Sequence, residues 1–453
     1  MFLKAKFNLS KSEDSTMKML AGPGLMVLAR VGGAVAGMIF TMLLTRSMGA
    51  AGTGQVSVAI SLGMILALAC TLNIEAGAVR FMIQDKAAGK LSEVAGYIFY
   101  TRLFVLKASL IVTFLAIAAL LLAGYPISSP LYLAVLSAPI LGFMRLGAGI
   151  AQGFSRPVLS VLPRTFLRPT FMAIAVGVWV LFVGPPNPWI ATLLFVITTT
   201  IALIAQIILL RPEINGLTDR LAKEPIEVSN HQNWVKIGLT LGLNVLFLEY
   251  SIYLTVLLAA IVLPATETAR LDVLLKLIAL LRFGLISINQ YFMPRMSQAI
   301  GNDNKQALER LIAISGIMRL TVTAIGGLVI IFFGRSILTI FGPEFANDQP
   351  YLILLLLEAI VISLFGPGSN IVGLSKEPHR MLPVLSVTLT TLCVGTLICG
   401  YYFGLIGILW ITIITRLIWL GGVAVLSKQI TGVDSTMASL PRYLKQRKDP
   451  NRN

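Results

Sequence analysis

Charge is scarce in this sequence. Only 12% of its 453 residues are Asp, Glu, Lys or Arg, about half the ~25% of a soluble globular protein. So little polar side chain cannot cover the apolar surface of a chain that is 56% hydrophobic. Histidine is nearly missing: His231 and His379 are the two present, and they form neither a metal cluster nor part of a triad. The three cysteines, Cys70, Cys393 and Cys399, lie in apolar runs without metal or redox spacing. No Gly-rich loop ends in Gly-Lys-Ser/Thr, which excludes ATP binding through that device. Long polar segments are missing as well. The longest internal one is Arg211–Asn233, too short for a soluble catalytic domain of about 50 residues or more. The expectations are a non-enzyme with no cofactor and no metal.

What is there is apolar sequence in long runs, recurring from Met19 to Lys428. At ~1.5 Å per residue, about 20 residues cross a hydrocarbon core of ~30 Å. Spans are expected at 19–45, 56–79, 97–123, 131–153, 158–183 and 189–211, then at 234–262, 270–294, 308–333, 351–374, 383–402 and 405–427. The mixed stretch Met1–Lys18 precedes a first run longer than a signal-peptide core, so no cleaved signal is read.

The formal charge of +16 invites a nucleic-acid reading, which its distribution excludes. With the N-terminus and its Lys4, Lys6, Lys11 and Lys18 inside, cytoplasmic loops hold Arg80, Lys86, Lys90, Arg156, Arg220, Lys223, Arg295, Lys305, Lys376 and Arg380. The tail adds Arg442, Lys445, Arg447, Lys448 and Arg452, whereas the opposite loops hold only Arg46, Arg270 and Arg335. Twelve spans with both termini in the cytoplasm satisfy the positive-inside rule.

The fold class expected is therefore all-α integral membrane, about 12 transmembrane helices in two six-helix lobes. The divisions expected are a cytoplasmic segment 1–18, a first lobe 19–211, a cytoplasmic linker 212–233, a second lobe 234–430 and a basic cytoplasmic tail 431–453. Both lobes open alike, with a long helix, a short hinge and another long helix. The hinges are Met48–Gly54 and Pro264–Ala269. Weak internal repetition of this kind places a substrate site at the repeat interface in transporters.

The informative residues are charges stranded within spans. Arg30 lies about eleven residues into the first span, near mid-membrane at ~1.5 Å per residue. Arg145, Arg282, Arg319 and Arg416 also fall well inside their spans, with Lys276 closer to the outer side and the acids Glu249 and Glu358 in the seventh and tenth. A central charge costs roughly 2.5–3.5 kcal/mol on insertion scales, so such residues face a bundle interior or a wet cavity. Lys276 and Arg282 are about 120° apart on a helix and cannot point at one place. Each arginine has a bland alternative as the partner of an acid or a carbonyl, Arg416 above all. Arg80, Arg164 and Arg168 lie near the cytoplasmic boundary, where they either capture phosphate or snorkel to headgroups. Glu75 pairs locally with Arg80 on the same bland reading. Six intramembrane cations against two acids still leave a surplus that wants an anion, and phosphate or pyrophosphate suits arginine geometry. Gly32, Gly33 and Gly37 serve either close helix packing or bending, and Gly366-Pro367-Gly368 implies a break in the tenth span.

Several runs carry a family resemblance. Leu44-Thr45-Arg46-Ser47-Met48-Gly49-Ala50-Ala51-Gly52-Thr53-Gly54 resembles the opening of Wzx-type (O-antigen) polysaccharide biosynthesis flippases of the multidrug/oligosaccharidyl-lipid/polysaccharide exporter superfamily. Ala76–Phe81, Gln152–Pro157 with Leu167-Arg168-Pro169, and Asn289–Ser297 are similar to corresponding family segments. The resemblance implies six plus six helices around a central cavity, alternating access, and cavity cations that engage a substrate pyrophosphate. Arg30 in the first helix, and Arg282 or Lys276 in the eighth, are the best-placed matches. Many relatives have fourteen helices; twelve here argues against a lipid II flippase.

The function expected is translocation of a polyprenyl-pyrophosphate-linked oligosaccharide from the cytoplasmic to the outer leaflet of the bacterial inner membrane, for O-antigen or exopolysaccharide assembly. Arg30, Arg145, Lys276, Arg282 and Arg319 are the substrate-binding candidates, Glu249 and Glu358 the candidates for coupling to H+ or Na+. Expected partners are the lipid-linked glycan, membrane lipid, and polysaccharide polymerase and chain-length proteins, with no nucleic acid. The alternatives are an ion-coupled multidrug exporter, which the surplus of positive charge disfavours, and a membrane polymerase or ligase, which the minimal outer loops disfavour. A major-facilitator carrier fails on Gly77–Lys90, which lacks that family's loop pattern.

Overall fold

The computed structural model describes residues 2–221, 231–375 and 377–437, and among them every regular element is a helix. In chain order these are α1 (Phe2–Thr71), α2 (Gly77–Ala87), α3 (Leu91–Leu122), α4 (Pro130–Gly153), α5 (Pro157–Val161), α6 (Arg168–Phe182), α7 (Pro188–Leu221), α8 (His231–Leu248), α9 (Ser251–Val262), α10 (Ala265–Gly301), α11 (Lys305–Phe341), α12 (Gln349–Phe365), α13 (Gly368–Leu374) and α14 (Met381–Thr431). Turn chemistry sets several boundaries. Ser129 accepts a hydrogen bond from the Leu131 amide ahead of Pro130, and Asn187 from the Ile190 amide ahead of Pro188. A capping oxygen followed by proline at the first helical position supplies an acceptor where the helix lacks one and wastes no amide.

Eight helical segments are long and apolar enough to cross a membrane. Two of them cross twice. The apolar part of α1, Leu28–Thr71, is interrupted at Gly49 (φ 69°) and α14 at Gly404 (φ 62°), a left-handed backbone that suits glycine. At Gly404 the chain doubles back: a Cβ on Gly395 would meet Ile411, and one on Gly400 would meet Ile408. The pair α8–α9, bent by 73°, supplies another crossing. The 37-residue α10, which carries Arg270, Asp272, Lys276 and Arg282, completes the twelve.

The chain divides into two compact units, Met1–Tyr253 and Leu254–Asn453. That is later than the division expected at 212–233. α7 runs on to Leu221, and α8 packs on the first unit, where Trp234 is 1% exposed among Tyr97, Tyr100 and Phe81. Lys223 and the linker residues 222–230, Lys376, and the tail from 438 onward lie outside the described residues.

The core of the first unit joins Phe40, Leu44, Val56 and Met64 of α1 to Leu141 of α4, Val176 of α6 and Phe195 of α7. In the second, Ile288, Phe292 and Met296 of α10 meet Ile312 of α11, Ile371 of α13 and Val433. Between α5 and α6, Leu162–Leu167 winds as a π-helical turn around Pro163. Such turns release a carbonyl from its regular partner, and α1 closes on this one: a Cβ on Gly33 would lie 1.7 Å from the Thr165 carbonyl oxygen. Gly32 faces Phe166, while Gly37 has nothing within 4 Å. Close packing therefore accounts for Gly32 and Gly33 but not for Gly37. Gly33→Ala is expected to cost roughly 1–3 kcal/mol through overpacking, read as a lower melting temperature in detergent. Gly37→Ala, with open space and better helix propensity, is expected to leave melting unchanged or raise it.

Candidate functional site: a braced helix break and a surplus of buried arginine

In the first unit the membrane helix that ends at Thr71 breaks before α2. Leu72 (φ 44°) and Asn73 (φ 58°) are left-handed, and Ile74–Ala76 forms a single 3-10 turn. A break inside a bilayer strands peptide groups that have no water to bind, at several kcal/mol each. Here side chains take two of them. Tyr97 of α3 donates to the Ile74 carbonyl at 2.7 Å, and the Thr71 hydroxyl accepts from the Asn73 amide at 3.2 Å.

Arg145 of α4, 4% exposed, braces the side chains of the break. Its Nη2 donates to Asn73 Oδ1 at 3.2 Å and lies 2.5 Å from Glu75 Oε1. Its Nη1 donates to the Tyr250 hydroxyl at the α8–α9 bend. The approach depends on glycine. A Cβ on Gly149 of α4 would strike the Glu75 backbone at 2.7 Å, and one on Gly238 of α8 would strike Leu72 and Ile74 at 2.9 Å.

Beside Tyr250, Glu249 pairs with Arg164 of the π turn at 3.7 Å. Their side chains are 52% and 35% exposed, so this pair is open where the Arg145–Glu75 pair is buried. Arg168, half-buried, reaches the Met64 sulfur at 3.3 Å, and Arg80 is exposed on α2. Arg30 is half-buried on α1.

The second unit is arranged differently. Glu358 of α12, 2% exposed, has its Oε1 3.0 Å from Arg416 Nε of α14 and 3.5 Å from Arg282 Nη1 of α10. One carboxylate thus serves two guanidinium groups. Arg319 of α11 is 0% exposed and has neutral partners: Nη1 donates to Asn289 Oδ1 at 2.9 Å and to Ser315 Oγ at 3.4 Å. Its Nε and Nη2 have no acceptor among the described residues. It stands against the broken tenth span, where Gly366 has φ 76° and the Ser435 hydroxyl donates to the Phe365 carbonyl at 3.4 Å. On the other face of α10, Lys276 pairs with Asp272 at 2.6 Å, and Arg270 with Asp348 at 3.6 Å.

Three features of this arrangement depart from the sequence reading. Glu75 pairs with Arg145, not with its near neighbour Arg80, because the break turns it into the unit's interior. Asp272 and Glu75 were not counted among the intramembrane acids; with them, the surplus of six cations over two acids narrows, and what is left in the second unit gathers at Arg282, Arg319 and Arg416. Lys276 and Arg282 do point apart, as their angular separation implies. Tyr250 and Asn73, which complete the Arg145 site, carry no spacing signal, and Asn289, which helical spacing places on one face with Arg282, instead accepts from Arg319. The one hint was polar Asn73 and Glu75 at the end of an apolar run.

Twelve crossings in two units, with a broken second span, make this a multi-pass α-helical membrane protein. Among solved structures, the chain is similar to the lipid II flippase MurJ in an inward closed conformation, with a TM-score of 0.69 at 12% identity over 95% of this chain and 93% of that one. It is similar to an inward-facing multidrug resistance MATE family transporter of the MOP superfamily, with a TM-score of 0.66 at 14% identity over 88% of this chain and 94% of that one. The MATE multidrug transporter DinF-BH gives 0.57 at 14% identity, over 90% and 95%. No family model and no curated protein matches the sequence. At such identities the likeness establishes the fold, and function rests on the residues.

Removing the shared acid tests the charge geometry. Glu358→Gln removes the carboxylate that Arg282 and Arg416 share, and breaking a buried pair in this way costs about 3–5 kcal/mol. A large fall in melting temperature and membrane yield is expected, with partial recovery when Arg416→Gln is added.

Proposed function

We propose that this chain is a flippase of the bacterial cytoplasmic membrane that moves a polyprenyl-pyrophosphate-linked oligosaccharide from the inner to the outer leaflet by alternating access, with both termini in the cytoplasm. The observation that carries the proposal is the cation surplus of the second unit: Arg282 and Arg416 share Glu358, and Arg319 has only neutral partners. Guanidinium groups held away from water favour a diffuse, multiply charged oxyanion, for which arginine offers bidentate geometry. A cationic drug would meet repulsion at the same place, which disfavours the multidrug exporter.

Within this reading Arg30, Lys276, Arg282 and Arg319 contact pyrophosphate or sugar, and Arg80, Arg164 and Arg168 capture phosphate at the cytoplasmic side. Arg145 serves a different purpose from simple ligation, because Glu75, Asn73 and Tyr250 already occupy its guanidinium; it acts by holding the helix break in position. Glu249 is the better candidate for H+ or Na+ coupling. Its side chain is 52% exposed against one arginine, while Glu358 is buried between two. Membrane lipid and the polymerase and chain-length proteins of surface polysaccharide assembly are the proposed partners.

In cells lacking the protein, undecaprenyl-linked oligosaccharide is expected to accumulate on the cytoplasmic face. The wild type should clear it and Arg30→Ala should not, at equal membrane yield. Rescue by Arg30→Ala would remove that residue from the site. Lipid-linked sugar reaching the outer face unpolymerised would favour a polymerase or ligase, and an unchanged lipid pool would favour an exporter.

A further inference from the structure

The first unit carries a groove of about 410 Å³ that neither the arginine brace nor the proposed transport uses, walled by α3, α4 and α7. Most of its lining is apolar. Phe143, Leu203 and Ile207 form much of the wall, and Ile207 is 57% exposed beside a run of exposed Ile204 and Ile208. Side chains of this kind on a membrane helix face hydrocarbon, so the groove opens to lipid.

Two polar groups interrupt the wall. Arg102 of α3 is exposed and makes no ion pair or hydrogen bond with a described residue. Gln206 of α7 is 1% exposed. Its Nε2 donates to the Met144 carbonyl at 3.1 Å, and its Oε1 has no donor among the described residues. A carbonyl can only accept, so the amide nitrogen must face Met144, and the buried oxygen at the groove wall keeps its acceptor capacity free. Gly147 makes the room: a Cβ there would lie 2.9 Å from the Gln206 side chain.

A ligand that satisfies these walls has an alkyl chain, a negative charge, and a hydrogen-bond donor close to that charge. Arg102 lies about eleven residues into α3, whose start is on the side read as cytoplasmic, within snorkelling reach of the phosphate layer of that leaflet. We infer that the groove binds one anionic glycerophospholipid with a hydroxylated headgroup, of the phosphatidylglycerol type. The phosphate sits on Arg102, a headgroup hydroxyl donates to Gln206 Oε1, and one acyl chain lies against Phe143, Leu203 and Ile207. A choline headgroup has no donor for Gln206 and brings a cation towards Arg102. Free phosphate leaves the apolar wall unfilled. This inference is independent of the transported substrate.

The test is native mass spectrometry of the full chain released from nanodiscs containing equal phosphatidylglycerol and phosphatidylcholine. The wild type is expected to retain one phosphatidylglycerol in preference to phosphatidylcholine. Arg102→Gln is expected to lower that preference about tenfold, a loss within the range of a charge-assisted contact. Ile207→Trp, which fills the groove from an exposed position, is expected to abolish retention with melting unchanged. Equal retention of the two lipids by the wild type, or undiminished phosphatidylglycerol on both variants, would overturn the inference.

Discussion

Hydrocarbon offers no water to a stranded peptide group or an unpaired charge, and every departure from regular helix in this protein is shaped by that deficit. The sharpest case is the break at Leu72–Ala76, where two successive left-handed residues interrupt the regular helical ladder. Arg145 answers it from another helix, taking Asn73, Glu75 and Tyr250 at once. Because that guanidinium must reach all three, α4 has to approach the break closely, which is why Gly149 cannot be larger. The same requirement seats α8, through Gly238, on the broken segment. One buried arginine thus ties the second span, the fourth and the α8–α9 bend into a single unit.

The second unit meets the deficit with less compensation. Glu358 offsets two arginines, and Arg319 is held by an amide and a hydroxyl. A protein selected only for stability has a simpler option, since well-packed apolar residues of similar volume often replace buried ion pairs without loss. Retaining cations that the fold itself does not neutralise is costly in a membrane. A cargo that brings negative charge offsets that cost, and pyrophosphate brings more of it than a drug does. On the proposed reading, Arg145 with its own carboxylate positions the helix break, and the arginines around Glu358 and Asn289 bind cargo.

Much of the fold was legible in the sequence because its determinants are local. Apolar length marks the crossings, and Gly49 and Gly366-Pro367-Gly368 mark turns where glycine or proline is needed. The site was only half legible. Mid-span arginines stand out against an apolar background, but their partners do not: Asn73 lies 72 residues from Arg145, and no periodicity links them. Glu75 looked like a partner of Arg80 because spacing sees near neighbours first. Asp272 hid in a span already rich in charge. Polarity also ends the apolar run at Arg211, while the helix itself continues to Leu221.

The central claim is that the undersatisfied arginines serve an anionic lipid-linked cargo. The most direct measurement reconstitutes the purified protein in vesicles and follows two labelled probes, a polyprenyl-pyrophosphate-linked sugar and a cationic dye. Protein-dependent loss of the lipid-linked sugar from one leaflet, with the dye left in place, is the result expected. Movement of the dye with the lipid-linked sugar left behind would contradict the claim and make this chain an exporter of cations.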